Sequence, residues 1–198
     1  MKYRILPLIA LFYSLSLAIA QVSTPAVEVL PGSTKYLDYK YGFRDVRFGQ
    51  TPEEIAGMKI DGEPNNRLLK EYLRASDVLT LNQVPLEFIS YNFYENKLCQ
   101  VYFHCEIKGG PFEPFEDFLV SLYGKPTSKK LGNGLLGNIK STEWLWKGER
   151  VDLFVREGRF GDKTTVSFYL RDSIRYGALT KKLEEIDSNA AAKTKDGL

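Results

Sequence analysis

Apolar and polar residues alternate over several stretches of the chain, which is the pattern of strands with one buried face. The alternation is clearest over residues 98–107, where every second residue from Val101 to Ile107 is apolar. Residues 86–94 are rich in aromatic side chains, and the turn sequence Glu95-Asn96-Lys97 connects the two stretches. Together they predict a β-hairpin.

Other stretches predict further strands, shorter in the first half of the chain than in the second. They lie within residues 42–49, through Tyr72 and Leu73, near 78–81, and at 141–147, 150–156 and 164–171. Residues 129–141 contain three glycines and are predicted to form a long mobile loop.

The apolar spacing changes to three and four residues over 111–123, which predicts a helix that packs on a sheet. Its apolar positions are Phe112, Phe115, Phe118, Leu119 and Leu122. The sequence Thr51-Pro52-Glu53-Glu54 has the residues of a capping box and predicts a helix of about two turns. Asp172 can cap a last helix that continues to about Ile186.

The predicted order is helix, strands, helix, strands, helix, which is typical of an α+β fold with helices packed on an antiparallel sheet. We expect one domain over residues 41–187. Its halves, 41–108 and 109–187, each place a helix before antiparallel strands, as a duplication would, although few residues match between them. The small, polar residues 188–198 are predicted to form a disordered tail.

The first residues have the layout of a secretory signal peptide. Lys2 and Arg4 precede an apolar stretch that ends in Ala-Ile-Ala, so residues 1–20 are the expected signal, with cleavage after Ala20. An uncleaved anchor is the alternative, but this stretch is shorter than the roughly 20 residues that span a bilayer. Residues 21–40 are then predicted to form a flexible arm. We expect a periplasmic or secreted protein without stable membrane insertion.

The charge balance does not favour nucleic acid or an anionic membrane as a partner. The chain has 27 Lys and Arg against 25 Asp and Glu, and the excess of two lies in the expected signal peptide. Nucleic-acid binding requires a concentrated basic surface, whereas the short pairs Lys129-Lys130 and Lys181-Lys182 are typical of solvated surface.

Cys99 and Cys105 are predicted to be free, buried thiols on one side of a single strand. Six residues of strand span about 20 Å, whereas a disulfide requires Cα atoms within about 7 Å. A strong bend or bulge between the two residues would reverse this interpretation. His104, the only histidine, is predicted to be an ordinary surface residue. No metal or cofactor is expected, because no paired-ligand spacing occurs.

The sequence shows no nucleophile elbow, metal-ligand cluster or nucleotide-binding motif. Glu113, Glu116 and Asp117 lie near the start of the second predicted helix, where the helix dipole and solvent account for them. We therefore expect a non-catalytic binding module. The alternative is a carboxylate-dependent hydrolase of unfamiliar type.

Aromatic and arginine residues of the last strands are the candidates for a binding surface. Trp144 and Trp146 share one face of their strand, where they either anchor a partner or pack beneath the helix of residues 111–123. The opposite face is then lined by Phe154, Arg156, Tyr169 and Arg171. This mixture of side chains suits a partner protein or a glycan.

Several short motifs together resemble a class of small exported bacterial proteins of unknown function. They cover residues 41–171 and comprise Gly42–Gly49, Thr51, Tyr91–Leu98, Tyr123-Gly124-Lys125-Pro126 and Trp144-x-Trp146. At fold level the layout is similar to the tandem repeats of β-lactamase inhibitor proteins and to the small envelope subunit BamE. The resemblance implies protein recognition, and hence an exported binding or accessory module of the bacterial envelope.

Overall fold

A computed structural model describes residues 29–62, 68–108, 113–133, 140–161 and 163–196. The predicted signal peptide, its cleavage point and residues 21–28 of the predicted arm lie outside the described residues. The helices of the described part are α1 (Thr34–Lys40), α2 (Glu113–Tyr123) and α3 (Ser173–Asp196). Its strands are β1 (Gly42–Phe43), β2 (Val46–Arg47), β3 (Met58–Ile60), β4 (Leu69–Arg74), β5 (Thr80–Leu81), β6 (Val84–Pro85), β7 (Phe88–Tyr94), β8 (Lys97–Lys108), β9 (Ser128–Asn133), β10 (Lys140–Lys147), β11 (Val151–Phe160) and β12 (Lys163–Asp172).

Eight of these strands form one antiparallel sheet in the order β3-β4-β7-β8-β12-β11-β10-β9. The strands of the first half meet those of the second at the centre, where β8 pairs with β12. The short strands β1 and β2 pair with each other, as do β5 and β6. The predicted α+β class with an antiparallel sheet is therefore confirmed.

The inner face of the sheet packs beneath α1 and α2. Phe115 of α2 contacts the Phe168 ring of β12 edge-on, with ring centroids 5.0 Å apart. Leu37 of α1 is buried in the same core as Phe103 and Trp146. Alternating positions along the strands supply this core, as the sequence pattern requires, and the burial of large apolar side chains is its main source of stability.

Helix α3 lies on the opposite, outer face, against β12, β8 and β7. The Asp172 carboxylate accepts the backbone N–H groups of Ile174 (3.1 Å) and Arg175 (2.9 Å), which confirms the predicted cap. Leu179 is buried, whereas most of the later residues are exposed. Among the described residues, no helix is both long enough and apolar enough to cross a membrane.

Regular structure extends further at both ends than the sequence predicts. The predicted flexible arm includes α1, which is held because Leu37 packs in the core and Asp38 accepts backbone N–H groups from Glu149 to Val151. At the other end, α3 continues beyond Ile186 to Asp196, through most of the predicted disordered tail. Alanine and lysine residues in that segment have high helix propensity.

Two predictions in the middle of the chain are also corrected. The predicted mobile loop at 129–141 contains most of β9 and the start of β10, which pair from Ser128 with Leu145 to Asn133 with Lys140; residues 134–139 lie outside the described part. The helix predicted after Thr51 is a single 3₁₀ turn, because the chain becomes extended at Ile55. Glu54 still accepts the Thr51 backbone N–H at 2.6 Å, as a capping box requires.

Candidate binding surface

Rows of side chains cross the outer face of the sheet, because residues opposite each other in neighbouring strands point to the same side. One row places Tyr102 of β8 opposite Tyr169 of β12, and Tyr169 opposite Phe154 of β11. Phe88 of β7 lies diagonally beside Tyr102. Phe88, Tyr102, Tyr169 and Phe154 form what we call the aromatic row.

The four rings of the aromatic row contact one another and are all half-buried. Tyr102 and Tyr169 stack with centroids 4.8 Å apart, and the Phe154 centroid lies 5.7 Å from that of Tyr169. Phe88 meets Tyr102 edge-on at 5.4 Å. Tyr102 and Tyr169 cover one face of each other, and Phe88 and Phe154 contact these two rings from their other sides. Their edges and hydroxyl groups are therefore the parts left for a ligand.

Two arginines flank the aromatic row. Arg156 on β11 is exposed and forms an ion pair with Glu143 on β10, with a nitrogen–oxygen distance of 2.7 Å. Arg171 on β12 is half-buried, and its guanidinium carbon lies 4.9 Å from the ring centroid of Tyr169 and 4.3 Å from that of Tyr176 on α3. Cation–π contacts of this kind hold an arginine in place without neutralising its charge.

The guanidinium of Arg171 forms few hydrogen bonds with the described polar groups. Its Nε donates a hydrogen bond to Oε1 of Gln100 at 3.1 Å. Asp152 stands opposite Arg171 in the β11–β12 ladder, yet no ion pair joins Arg171 to any described residue. Burial lowers the pKa of Arg171 because the charged form loses water, but an arginine remains protonated at neutral pH.

A surface cleft of about 510 Å³ opens beside the Phe88 end of the aromatic row. Phe88 and Leu73 belong to its lining, as do the exposed apolar side chains of Ile60 and Leu79. An apolar lining with a few charged groups is typical of ligand clefts.

His104 lies near the Phe88 end of the aromatic row, and its Nδ1 is 3.0 Å from the Ser167 hydroxyl. The side chain of His104 is half-buried, so it is less exposed than the surface residue that the sequence predicts.

Four of the six candidate residues from the sequence lie together on this surface, namely Phe154, Arg156, Tyr169 and Arg171. Trp144 and Trp146 do not belong to it. They are 2% and 0% exposed and pack in the inner core with α2, which is the alternative arrangement. Phe88, Tyr102 and Tyr176 were not predicted from the sequence. Tyr102 shares the polar side of its strand with His104, but only the strand order shows that it faces Tyr169.

Two of the three candidate carboxylates of α2 have described side chains. Glu116 forms an ion pair with Lys129 at 2.9 Å, and Asp117 is exposed; the side chain of Glu113 lies outside the described part. Within the described ranges, no group of three or more His, Cys, Asp and Glu side chains is placed to hold a metal ion.

Both cysteines are free and buried. A bulge in the β7–β8 ladder places Cys99 out of the regular alternation, and its thiol donates to the Asn92 carbonyl oxygen at 3.3 Å. Cys99 therefore lies outside the inner core that contains Cys105, contrary to the predicted shared side. Burial raises the pKa of Cys99 to about 12 and that of Cys105 to about 11.

The outer face of the sheet thus combines four contacting rings, two guanidinium groups and an adjoining cleft. Comparisons of the chain with protein-family models, with curated proteins and with solved structures give no match.

Proposed function

We propose that this chain is a non-catalytic binding or accessory module of the bacterial envelope and that the outer face of its sheet holds the partner. The observation that carries the proposal is the gathering of the aromatic row, Arg156 and Arg171 on one face. Aromatic residues and arginine contribute most of the binding energy at many protein interfaces. The signal-peptide pattern at the N-terminus supports export.

A protein partner suits this surface better than a glycan does. Sugar rings bind aromatic side chains by lying on open ring faces, whereas Tyr102 and Tyr169 stack on each other at 4.8 Å and are flanked by Phe88 and Phe154. The edges and hydroxyl groups that remain fit the apolar and polar groups of a peptide chain. Binding would also cost little side-chain entropy, because the strands already fix the positions of these Tyr, Phe and Arg residues.

Site-specific photocrosslinking in intact cells tests the proposal. A benzophenone amino acid replaces either Phe154 in the aromatic row or Leu131, an 85% exposed residue of the edge strand β9. We expect a discrete adduct from position 154 and none from position 131. Equal adducts from both positions, or none from either, would contradict the proposal.

Substitutions then test whether the adduct depends on the surface. Tyr169→Ser combined with Arg156→Glu should abolish crosslinking from position 154. The matched control is Lys181→Glu, which makes the same change of charge at an exposed position of α3 and should leave the adduct unchanged. Persistence of the adduct in the double variant would show that the outer face is not the binding surface.

A further inference from the structure

The Arg171 guanidinium has hydrogen-bond donors to spare. An arginine offers five N–H groups in a planar fork, and the only bond from this fork to a described residue is that of Nε to Gln100. The rings of Tyr169 and Tyr176 lie within 4.9 Å and 4.3 Å of its central carbon. These contacts fix the side chain and leave the terminal nitrogens as a preformed site for a planar anion.

Two neighbouring cations of the outer face are already paired. Arg156 contacts Glu143 at 2.7 Å, and Lys163 contacts Glu106 at 3.4 Å. Asp152 lies between Lys147 and Arg171 in the ladders of β10, β11 and β12 but forms no ion pair with Arg171 among the described residues. Asp152 thus attracts Arg171 electrostatically without contacting it. A carboxylate brought by a partner would meet a partly desolvated guanidinium with unused N–H groups, where a charge-assisted hydrogen bond is strongest.

The position of Arg171 relative to the cleft sets the size of the ligand. Phe88 on β7 lies opposite His104 on β8, which lies opposite Ser167 on β12. Arg171 is four residues beyond Ser167 on the same strand, so it is two strand spacings and four residues away from Phe88. With standard strand dimensions, this separation is roughly 15 Å, the length of about five extended residues.

We propose that the aromatic row binds an extended, acidic segment of a partner protein, with a carboxylate of that segment on Arg171 and an apolar side chain in the cleft beside Phe88. This inference rests on the proposed function, to which it adds the chemistry of the partner. It predicts an acidic residue about four positions from an apolar one.

Peptide display provides the test. Random 12-residue peptides on phage are selected against the immobilised full chain and depleted on the Tyr169→Ser, Phe154→Ala variant. We expect enriched peptides to carry Asp or Glu near an apolar residue. A synthetic peptide from that set should bind at least about tenfold more weakly to Arg171→Gln, and Arg171→Lys should restore part of the loss because it keeps the charge without the planar fork.

The controls separate this inference from the proposed function. Lys181→Gln removes an exposed charge on α3 and should leave affinity unchanged, and urea midpoints must show that Arg171→Gln is folded. Replacing the acidic residue of the peptide by its amide should weaken binding to the wild type but not to Arg171→Gln.

Peptides whose binding requires Tyr169 but neither their own acidic residue nor Arg171 would overturn the inference and leave the proposed function standing. If no peptide is enriched and an acidic glycan binds through Arg171, the protein-segment proposal falls. If neither class binds at the aromatic row, both proposals fall.

Discussion

One carboxylate links α1, the first helix of the described residues, to the second half of the sheet. Asp38 of α1 accepts the backbone N–H groups of Glu149, Arg150 and Val151 at 2.8–2.9 Å, at the turn between β10 and β11. Three N–H groups converging on one carboxylate form a strong charge-assisted set. Gly148 permits this approach: a Cβ there would stand 2.5 Å from Oδ1 of Asp38 and 2.7 Å from the Val151 carbonyl oxygen.

We therefore predict that Gly148→Ala destabilises the protein by about 1–3 kcal/mol, since either the turn or α1 must shift. Gly177→Ala is the matched control: Gly177 lies in α3, and a Cβ there would meet no atom of another element within 4 Å. That substitution should stabilise the protein by about 0.5–1 kcal/mol, because alanine favours helix. Urea unfolding measures both free energies. Equal effects of the two substitutions would contradict the role of Gly148.

The two thiols are predicted to be unreactive in the folded protein. Burial raises the pKa of Cys99 to about 12 and that of Cys105 to about 11, and the thiolate is the reactive form. Iodoacetamide at pH 8 should modify neither residue in buffer and both in concentrated urea without reductant. Intact mass spectrometry counts the adducts. Failure to label the unfolded, unreduced chain would show that a disulfide exists.

At the level of elements, α3 is attached through the Asp172 side chain at the end of β12. Burial alone would raise the pKa of Asp172, but hydrogen bonds from the Arg175 backbone N–H, the Tyr41 hydroxyl and the Arg175 guanidinium together hold it below its ordinary value of 3.8. The Tyr41 oxygen lies 2.5 Å from Oδ2 of Asp172. The same carboxylate thus caps α3 and ties it to the chain that follows α1.

This arrangement predicts a pH-dependent contribution to stability. Because the pKa of Asp172 is lowered by folding, its contribution is fully present above the ordinary pKa and is lost as the pH falls through the folded value. Asp172→Asn should therefore be less stable than the wild type at pH 7, and the difference in unfolding free energy should shrink below about pH 4. Asp187→Asn on exposed α3 should show no such trend. A constant difference for Asp172→Asn would contradict the assignment.

The strands that could be predicted from the sequence are those with one buried face, because burial of that face requires an apolar residue at every second position. β11, β12 and the part of β8 that follows the bulge at Cys99 alternate because α1 and α2 cover their inner face. Their register places Phe154, Arg156, Tyr169 and Arg171 outside together. β9 was missed because an edge strand needs little burial. Lys129 and Lys130 beside β10 are both exposed, although Lys129 also pairs with Glu116 of α2. Tyr102 and Phe88 were missed for another reason, since their place in the surface depends on which strands are neighbours.

In the whole molecule, the halves 41–108 and 109–187 contribute four strands each to the large sheet, and the order is symmetric about the β8–β12 pair. A duplication of one helix-plus-strands unit is consistent with that order and stays a prediction. The contacts between the halves are nevertheless extensive. Phe103 of β8 stacks on Phe168 of β12 at 4.6 Å, and Tyr41 of the first half is hydrogen-bonded to Asp172 of the second. Asp38 of α1, just before the first half, also binds the turn between β10 and β11.

Such coupling predicts that the halves unfold together, and each half carries its own reporter. Both tryptophans, Trp144 and Trp146, lie on β10 of the second half, and both cysteines lie on β8 of the first. Tryptophan fluorescence and thiol labelling should therefore give the same urea midpoint, as a two-state domain requires. Asp38→Ala removes the link between α1 and the second half, and in a two-state domain it should lower both midpoints equally. Two separate midpoints in the wild type would mean that the halves unfold as independent units. The outer-face surface spans β7 and β8 of one half and β12 and β11 of the other. It would then be lost at the lower of the two midpoints.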